Sequence, residues 1–408
     1  MKELIVRTSF LIPAALVTSL YAATLYLLAL PDWNFERPDT ARVTDQTLAD
    51  PNEALTFAFS GNAGTSTEDR QLLLVTSVSP AQATAIDLAP HLPSGQHDAF
   101  DAINILGWEA LVRLGATGQS EVYPFDALLP VSDAQAHVAF GTNFASHGEE
   151  VANETPFAFP RLLQPSAPTS ELAVDTRTAL MDYEVELCMS FDRDIASLTE
   201  FDSARKAVFL CGDFTDRAAM LRGMPDGEDT FSGIGFTDAK SLPGAFPTGP
   251  LLVIPQDWRS FVASEAIATE LDGRSMQFTE GSDMLMDFRQ MVGFALEHGN
   301  QDNWTYQGAA VPLARDGVIR RGQVVLSGTA DGVLFRPPSR RTMAAHIGGY
   351  LLLGGFLSGD TPRRYIIEQF IENGIDEKAM LQPGDTVVHR ATRLGTIKTT
   401  VVSRANAQ

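Results

Sequence analysis

Apolar residues in this chain fall mostly in short runs and alternations, with glycine, proline and small polar residues between them. That is the pattern of strands and turns rather than of long helices. Leu55–Phe59 and Leu72–Val75 read as two strands joined by a polar loop, and Val138–Phe140, Ala207–Leu210, Leu251–Ile254 and Val324–Leu326 read the same way. Leu271-Asp272-Gly273-Arg274 centres on Asp-Gly, the signature of a tight hairpin. A second hairpin opens at Leu381-Gln382-Pro383-Gly384-Asp385 and ends near Val402. Helical spacing is clear twice. Phe100, Ile103, Gly107, Leu111 and Leu114 predict one amphipathic helix ending at Gly115, and Met284, Phe288, Met291, Val292 and Ala295 mark another. The pattern predicts an α+β body that is mainly β, with no internal repeat.

The pattern also divides the chain. Thr8–Leu30 is a stretch of 23 residues without a charge, long enough to cross a bilayer as a helix. A cleaved signal peptide is the rival reading, but its apolar core is usually only ~7–15 residues. Residues 1–32 therefore predict an N-terminal membrane anchor with the body on the extracytoplasmic side, and residues 33–52 a polar, proline-bearing linker. Residues 53–133 read as a small α+β domain and 134–402 as the larger domain, with an insertion at 335–380. That insertion carries Arg336, Arg340 and Arg341 before the apolar run Met343–Leu357, which suits a membrane surface or a dimer interface.

Composition narrows the function. The 408 residues are 44% hydrophobic and 20% charged, which supports one large or two ordinary globular domains. A formal net charge of −21 argues against nucleic acid as a partner. Two cysteines, Cys188 and Cys211, exclude a disulfide scaffold and a thiolate zinc site, and Cys188 reads as a small buried hydrophobe.

The candidate chemistry begins at Asp182-Tyr183-Glu184-Val185-Glu186-Leu187. Side chains alternate along a strand, so Glu184 and Glu186 share a face. Like charges side by side repel, and a hard divalent cation that takes carboxylate oxygens gives such a pair a reason to exist. Asp213, at the end of the run Ala207–Leu210, offers a third carboxylate.

Five segments in order resemble the fumarylacetoacetate hydrolase family. Gly141-Thr142-Asn143-Phe144-Ala145-Ser146-His147-Gly148-Glu149-Glu150 is similar to its Gly-x-Asn-Tyr-x-x-His-x-x-Glu segment, and Tyr183–Leu187 to its metal-binding strand. Gly212-Asp213-Phe214-Thr215-Asp216-Arg217 resembles its Asn-Asp-x-Ser-x-Arg segment. Lys240 stands before Thr248-Gly249-Pro250, and Ser327–Val333 resembles Thr-Gly-Thr-Pro-x-Gly-Val. The chain departs at Gly212, where the family usually has Asn, at Ala330 for Pro, and at Phe159-Pro160-Arg161 for Phe-x-Lys-Pro.

The resemblance implies a β-roll core, usually dimeric, with Mg2+ or Mn2+ held by Glu184, Glu186 and Asp213. It implies His147 and Glu150 as a water-activating pair on a lid, Lys240 as a catalytic charge, and Arg217 and Thr329 as substrate contacts. The activity it implies is hydrolysis of a C–C bond in an acylpyruvate or another 1,3-dicarbonyl oxo acid. Decarboxylation, isomerisation or hydration on the same metal site is the alternative, as is a membrane-tethered descendant without turnover.

Overall fold

The computed structural model describes residues 18–24, 26, 41–43, 45–61, 70–225, 232–352 and 354–405. The chain divides into two units, residues 37–335 with 381–408, and residues 1–36 with 336–380.

Four strands of the larger unit frame the site: β1 (His137–Gly141), β2 (Val185–Phe191), β3 (Lys206–Gly212) and β4 (Val325–Leu326). They lie in a ten-stranded sheet whose order is 121–124, 82–87, 71–79, 54–60, 252–255, β3, β2, β4, β1, 157–161. β2 and β3 pair antiparallel over seven residues each, and every one of those residues is buried. Both faces are therefore covered, and so both strands read as near-continuous apolar runs. The sheet runs across residue 133, because Ala54–Ser60 pairs with Leu252–Pro255. A short antiparallel pair, Met181–Asp182 with Thr215–Asp216, lies next to the site, and a five-stranded sheet is ordered 274–280, 266–271, 386–391, 396–403, 169–174. Its first hairpin turns at Asp272 and Gly273, with φ of 51° and 79°, as the Asp-Gly pair predicts. The C-terminal hairpin pairs Thr386–Ala391 with Thr396–Ser403.

Helices fill the connections. Those nearest the site are α1 (Ala145–Val151), α2 (Arg217–Gly223) and α3 (Phe236–Lys240). The single helix expected from Phe100 to Gly115 is two, Ala99–Leu106 and Trp108–Thr117, because Gly107 sits at φ 84°, outside helical backbone. The helix marked by Phe288, Met291, Val292 and Ala295 runs from Phe288 to His298, starting at an Asp287–Gln290 capping box.

The smaller unit holds helices Arg340–Leu352 and Pro362–Asp376. Tyr350 meets Tyr365 edge-on, and a Cβ at Gly348 would come within 2.6 Å of the Thr24 hydroxyl.

The expected transmembrane helix and membrane localisation are corrected. Most of Thr8–Leu30 lies outside the described residues, and among those described no helix is long and apolar enough to cross a membrane. The longest, Pro362–Asp376, has 15 residues, whereas a span takes ~20. The fold is a mixed α/β one with large sheets. The reading of Cys188 as an unpaired hydrophobe is also corrected. It forms a disulfide with Cys211, because the β2–β3 register sets the two cysteines diagonally across the strand pair with Cα atoms 6.0 Å apart. A bridge closing a loop of 23 residues removes about 3 kcal/mol of unfolded-state freedom in the chain-entropy account.

Two imidazoles are buried beside these sheets. His137 Nδ1 accepts the Val324 N–H at 3.1 Å while Nε2 lies 3.0 Å from the Leu163 carbonyl, and His389 Nδ1 lies 2.9 Å from the Thr269 hydroxyl. Burial is the main cause that holds each ring's pKa down at about 3. From pH 6.5 down towards 3 the unfolded chain takes up protons that the folded rings refuse, so stability falls as pH falls. Between pH 7 and pH 5 the loss should be about 2 kcal/mol per ring by urea unfolding, and His389→Gln should shrink the difference by that amount.

Candidate active site

β2 and β3 bring the three carboxylates together. Glu186 stands opposite Cys211 and Val185 opposite Gly212, so Glu186 and Asp213 meet at one end of the strand pair. Ligand oxygens of Glu184, Glu186 and Asp213 all lie within 4.8 Å of one another, and all three residues are buried.

Three buried cations answer them. Lys240 Nζ, from the end of α3, donates to Glu184 Oε2 at 2.9 Å and to Asp213 Oδ2 at 2.8 Å. Arg217, the first residue of α2, donates from Nη2 to Glu184 Oε1 at 2.7 Å and from Nε to Asp182 Oδ2 at 2.9 Å. Arg161, at the end of the strand beside β1, donates to Asp213 Oδ1 and to the Ala245 carbonyl, with its guanidinium 4.4 Å above the Phe246 ring. Asp182 is saturated as well, accepting from the Leu334 and Phe335 amides at 2.7 and 3.0 Å.

These neighbours set the carboxyls apart. Burial alone would raise Glu184, but the charges of Lys240, Arg217 and His147 more than reverse it, and it titrates below the ordinary glutamate value. Burial and then the Asp213 charge push Glu186 well above that value. Glu186 Oε2 accepts the Gly328 N–H at 2.9 Å, whereas its buried Oε1 has no hydrogen-bond partner. A buried carboxyl with an orphaned oxygen, beside two further carboxylates, is a donor set that fits a hard divalent cation.

α1 brings His147 near enough for its charge to act on Glu184. His147 Nδ1 is 2.9 Å from Glu150 Oε2, and Glu150 Oε1 accepts the Gly332 N–H at 2.8 Å. Asn143 anchors the segment that leads into α1, bonding Met286 N and O and the Ser327 carbonyl through its amide. Thr142 precedes it at φ 52°, a strained angle for a β-branched residue, with its hydroxyl given to the Thr155 carbonyl. Thr329 is engaged in the framework. Its hydroxyl donates to the Val185 carbonyl at 2.8 Å and accepts from Gln277 Nε2 at 2.9 Å.

The structure thus gathers Glu184, Asp213, Lys240 and Arg217 into one ion-paired cluster with Glu186 beside Asp213, while His147 and Glu150 stand on α1 and Thr329 on the turn after β4. Sequence reasoning missed Arg161, Asp182 and Gln277. Arg161 was visible only as the departure from Phe-x-Lys-Pro. Gln277 gives no local signal, yet its amide accepts from Val185 N and the Thr269 hydroxyl and donates to Thr329 and the Ala330 carbonyl. The departure at Gly212 has a steric cause: a Cβ there would meet Pro247 Cγ at 2.9 Å and His389 Cδ2 at 3.0 Å.

The fumarylacetoacetate (FAA) hydrolase C-terminal family matches residues 136–402. A probable 2-hydroxyhepta-2,4-diene-1,7-dioate isomerase from Mycobacterium abscessus is 17% identical, with TM-score 0.50 over 86% of this chain and 98% of its own. Fumarylacetoacetate hydrolase from Exiguobacterium antarcticum is 14% identical, with TM-score 0.50 over 86% of this chain and 100% of its own. No curated protein sequence matches the chain.

Removing one partner of a buried ion pair strands the other. Arg161→Met should lower unfolding free energy by about 3 kcal/mol in urea titrations, whereas Arg177→Met, at an exposed pair, should leave the unfolding midpoint essentially unchanged.

Proposed function

The chain belongs to the fumarylacetoacetate hydrolase family, and from that premise we propose that it is a divalent-metal-dependent hydrolase that cleaves a C–C bond of an acylpyruvate-like oxo acid. The observation that carries this reading is the His147–Glu150 pair, close enough to the three-carboxylate cluster for the His147 charge to act on Glu184. Glu184, Glu186 and Asp213 would hold Mg2+ or Mn2+. When bound, the cation would supply Lewis-acid polarisation of a substrate carbonyl.

The chain's own groups would do the rest. Glu150 ties His147 Nδ1, which leaves Nε2 to take the proton of a water and so make it a nucleophile. The same Glu150 carboxylate stabilises the imidazolium that results. Lys240 spends two N–H donors on Glu184 and Asp213 and has a third to offer an anionic oxygen in the transition state. Arg217 acts at one remove, by holding Glu184 in place. Thr329 gives its proton to Val185, so it can meet substrate only as an acceptor or through its backbone. The cluster is buried, where fixed charges act more strongly than in bulk water. A homodimer acting on a small molecule completes the reading, in keeping with the family.

The relative described as an isomerase supplies the alternative, because isomerisation needs no attacking water. The test is a turnover screen of acylpyruvates and oxaloacetate with Mg2+ and after chelation. Activity that survives chelation would overturn the metal reading. Glu186→Gln should abolish bound metal by elemental analysis and with it activity. His147→Ala should cut acylpyruvate hydrolysis by about 10²–10⁴ while Mg2+ affinity by calorimetry stays within a few-fold. Loss of hydrolysis with decarboxylation or isomerisation intact would support the water-activating role, and hydrolysis kept within a few-fold would remove it.

A further inference from the structure

Cys188 and Cys211 are both fully buried and joined by a disulfide. Cys188 lies two residues beyond Glu186 on β2, and Cys211 two residues before Asp213 on β3. Cys211 is also the cross-strand partner of Glu186, and Cys188 that of Phe209. Side chains alternate along a strand and cross-strand partners share a face, so Glu186, Cys188 and Cys211 all project the same way. The S–S bond therefore ties the two ligand strands together beside the point where Glu186 and Asp213 meet.

The other contacts in the cluster leave that point without an ionic tie. Lys240 joins Glu184 to Asp213, Arg217 adds to Glu184 and Arg161 to Asp213. Glu186 has the Gly328 N–H and, among the described residues, no ion pair. Glu186 and Asp213 repel when both are ionised out of water; the Lys240 charge reaches Glu186, but among the described residues no salt bridge holds it against Asp213 at ligand spacing. What does is the ladder between β2 and β3 and the sulfur bridge next to it.

We propose that the Cys188–Cys211 disulfide is a positioning element of the metal site, fixing Glu186 against Asp213 so that the oxidised chain binds a divalent cation more tightly than the reduced chain. The proposal rests on the metal reading of Glu184, Glu186 and Asp213. Reduction breaks the S–S bond by adding two electrons and two protons. A small dithiol supplies both and leaves as its cyclic disulfide. Linkage is reciprocal, so the cation must favour the disulfide over the dithiol form by the same factor by which the disulfide favours the cation.

The test uses the full chain. Mg2+, which does not take thiolates in preference to oxygen, is titrated by calorimetry into the oxidised protein and into protein equilibrated with excess small dithiol. Since both sulfurs are buried, exchange runs through local opening and is followed to completion by thiol counting. Affinity should fall at least tenfold on reduction. Redox titration in dithiol buffers should place the couple about 30 mV lower, or more, with saturating Mg2+ than without it, the same tenfold expressed as a potential. Cys188→Ala/Cys211→Ala and Cys188→Val/Cys211→Ala, checked by circular dichroism, should bind Mg2+ as the reduced protein does. An affinity within twofold across oxidised, reduced and substituted protein would overturn the proposal and leave the metal reading standing. Loss of the fold in both substituted pairs would also overturn it, because the bridge would then brace the sheet at large. No Mg2+ binding to the oxidised protein would remove the metal reading itself.

Discussion

Three buried carboxylates within 4.8 Å of one another impose a demand that the surrounding structure answers. A buried, unpaired carboxylate costs several kcal/mol, roughly the whole margin of an ordinary fold. The chain meets this with buried Arg161, Arg217 and Lys240, each fixed by an element of its own: a strand, the first residue of α2 and the last residue of α3. Glu186 is the residue left short, with one backbone N–H and an orphaned oxygen. The cluster is thus nearly balanced without being closed, which is the condition for taking up one more cation.

The two sheets meet around that cluster. The five-stranded sheet contributes no carboxylate to it, yet it governs the geometry. Gln277 bonds the backbone between the two glutamates and, through its other end, the turn bearing Thr329. Behind it Thr269 passes to His389, whose ring fills the space that a side chain at Gly212 would need. A substitution far out on the C-terminal hairpin can therefore reach Asp213 through one ring and one strand end.

Much of the fold could be read from local pattern, because alternation, the Asp272-Gly273 turn and the 288–298 helix each answer to neighbours in sequence. The site was legible where chemistry and spacing coincide: Glu184 and Glu186 two apart, Asp213 at a strand end, His147 three from Glu150. What escaped depends on register and long-range packing. Arg161 is one arginine in a proline-rich loop until Asp213 is set against it. The pairing of Cys188 with Cys211 exists only in the β2–β3 register, which no spacing rule announces. Gly107 divides a stretch whose hydrophobic period runs straight through it, because periodicity reports the buried face and not the backbone angle. The uncharged N-terminal stretch carried a length argument for a membrane span that no described helix fulfils.

β4 consists of two residues, Val325 and Leu326, yet it is wedged between β2 and β1, antiparallel to one and parallel to the other. Strand β1, which leads into α1, thus has no seat in the sheet beside the ligand strands until residues 325 and 326 have been synthesised. The central joint of the sheet is an entropically expensive, high-contact-order closure. During synthesis at about 5–20 residues per second, β1 and β2 each wait, with one apolar edge uncovered, for a two-residue strand made long after them. The demand that this places on the cell is a folding demand: an interval in which two unpaired strand edges are open to pairing with the wrong partner.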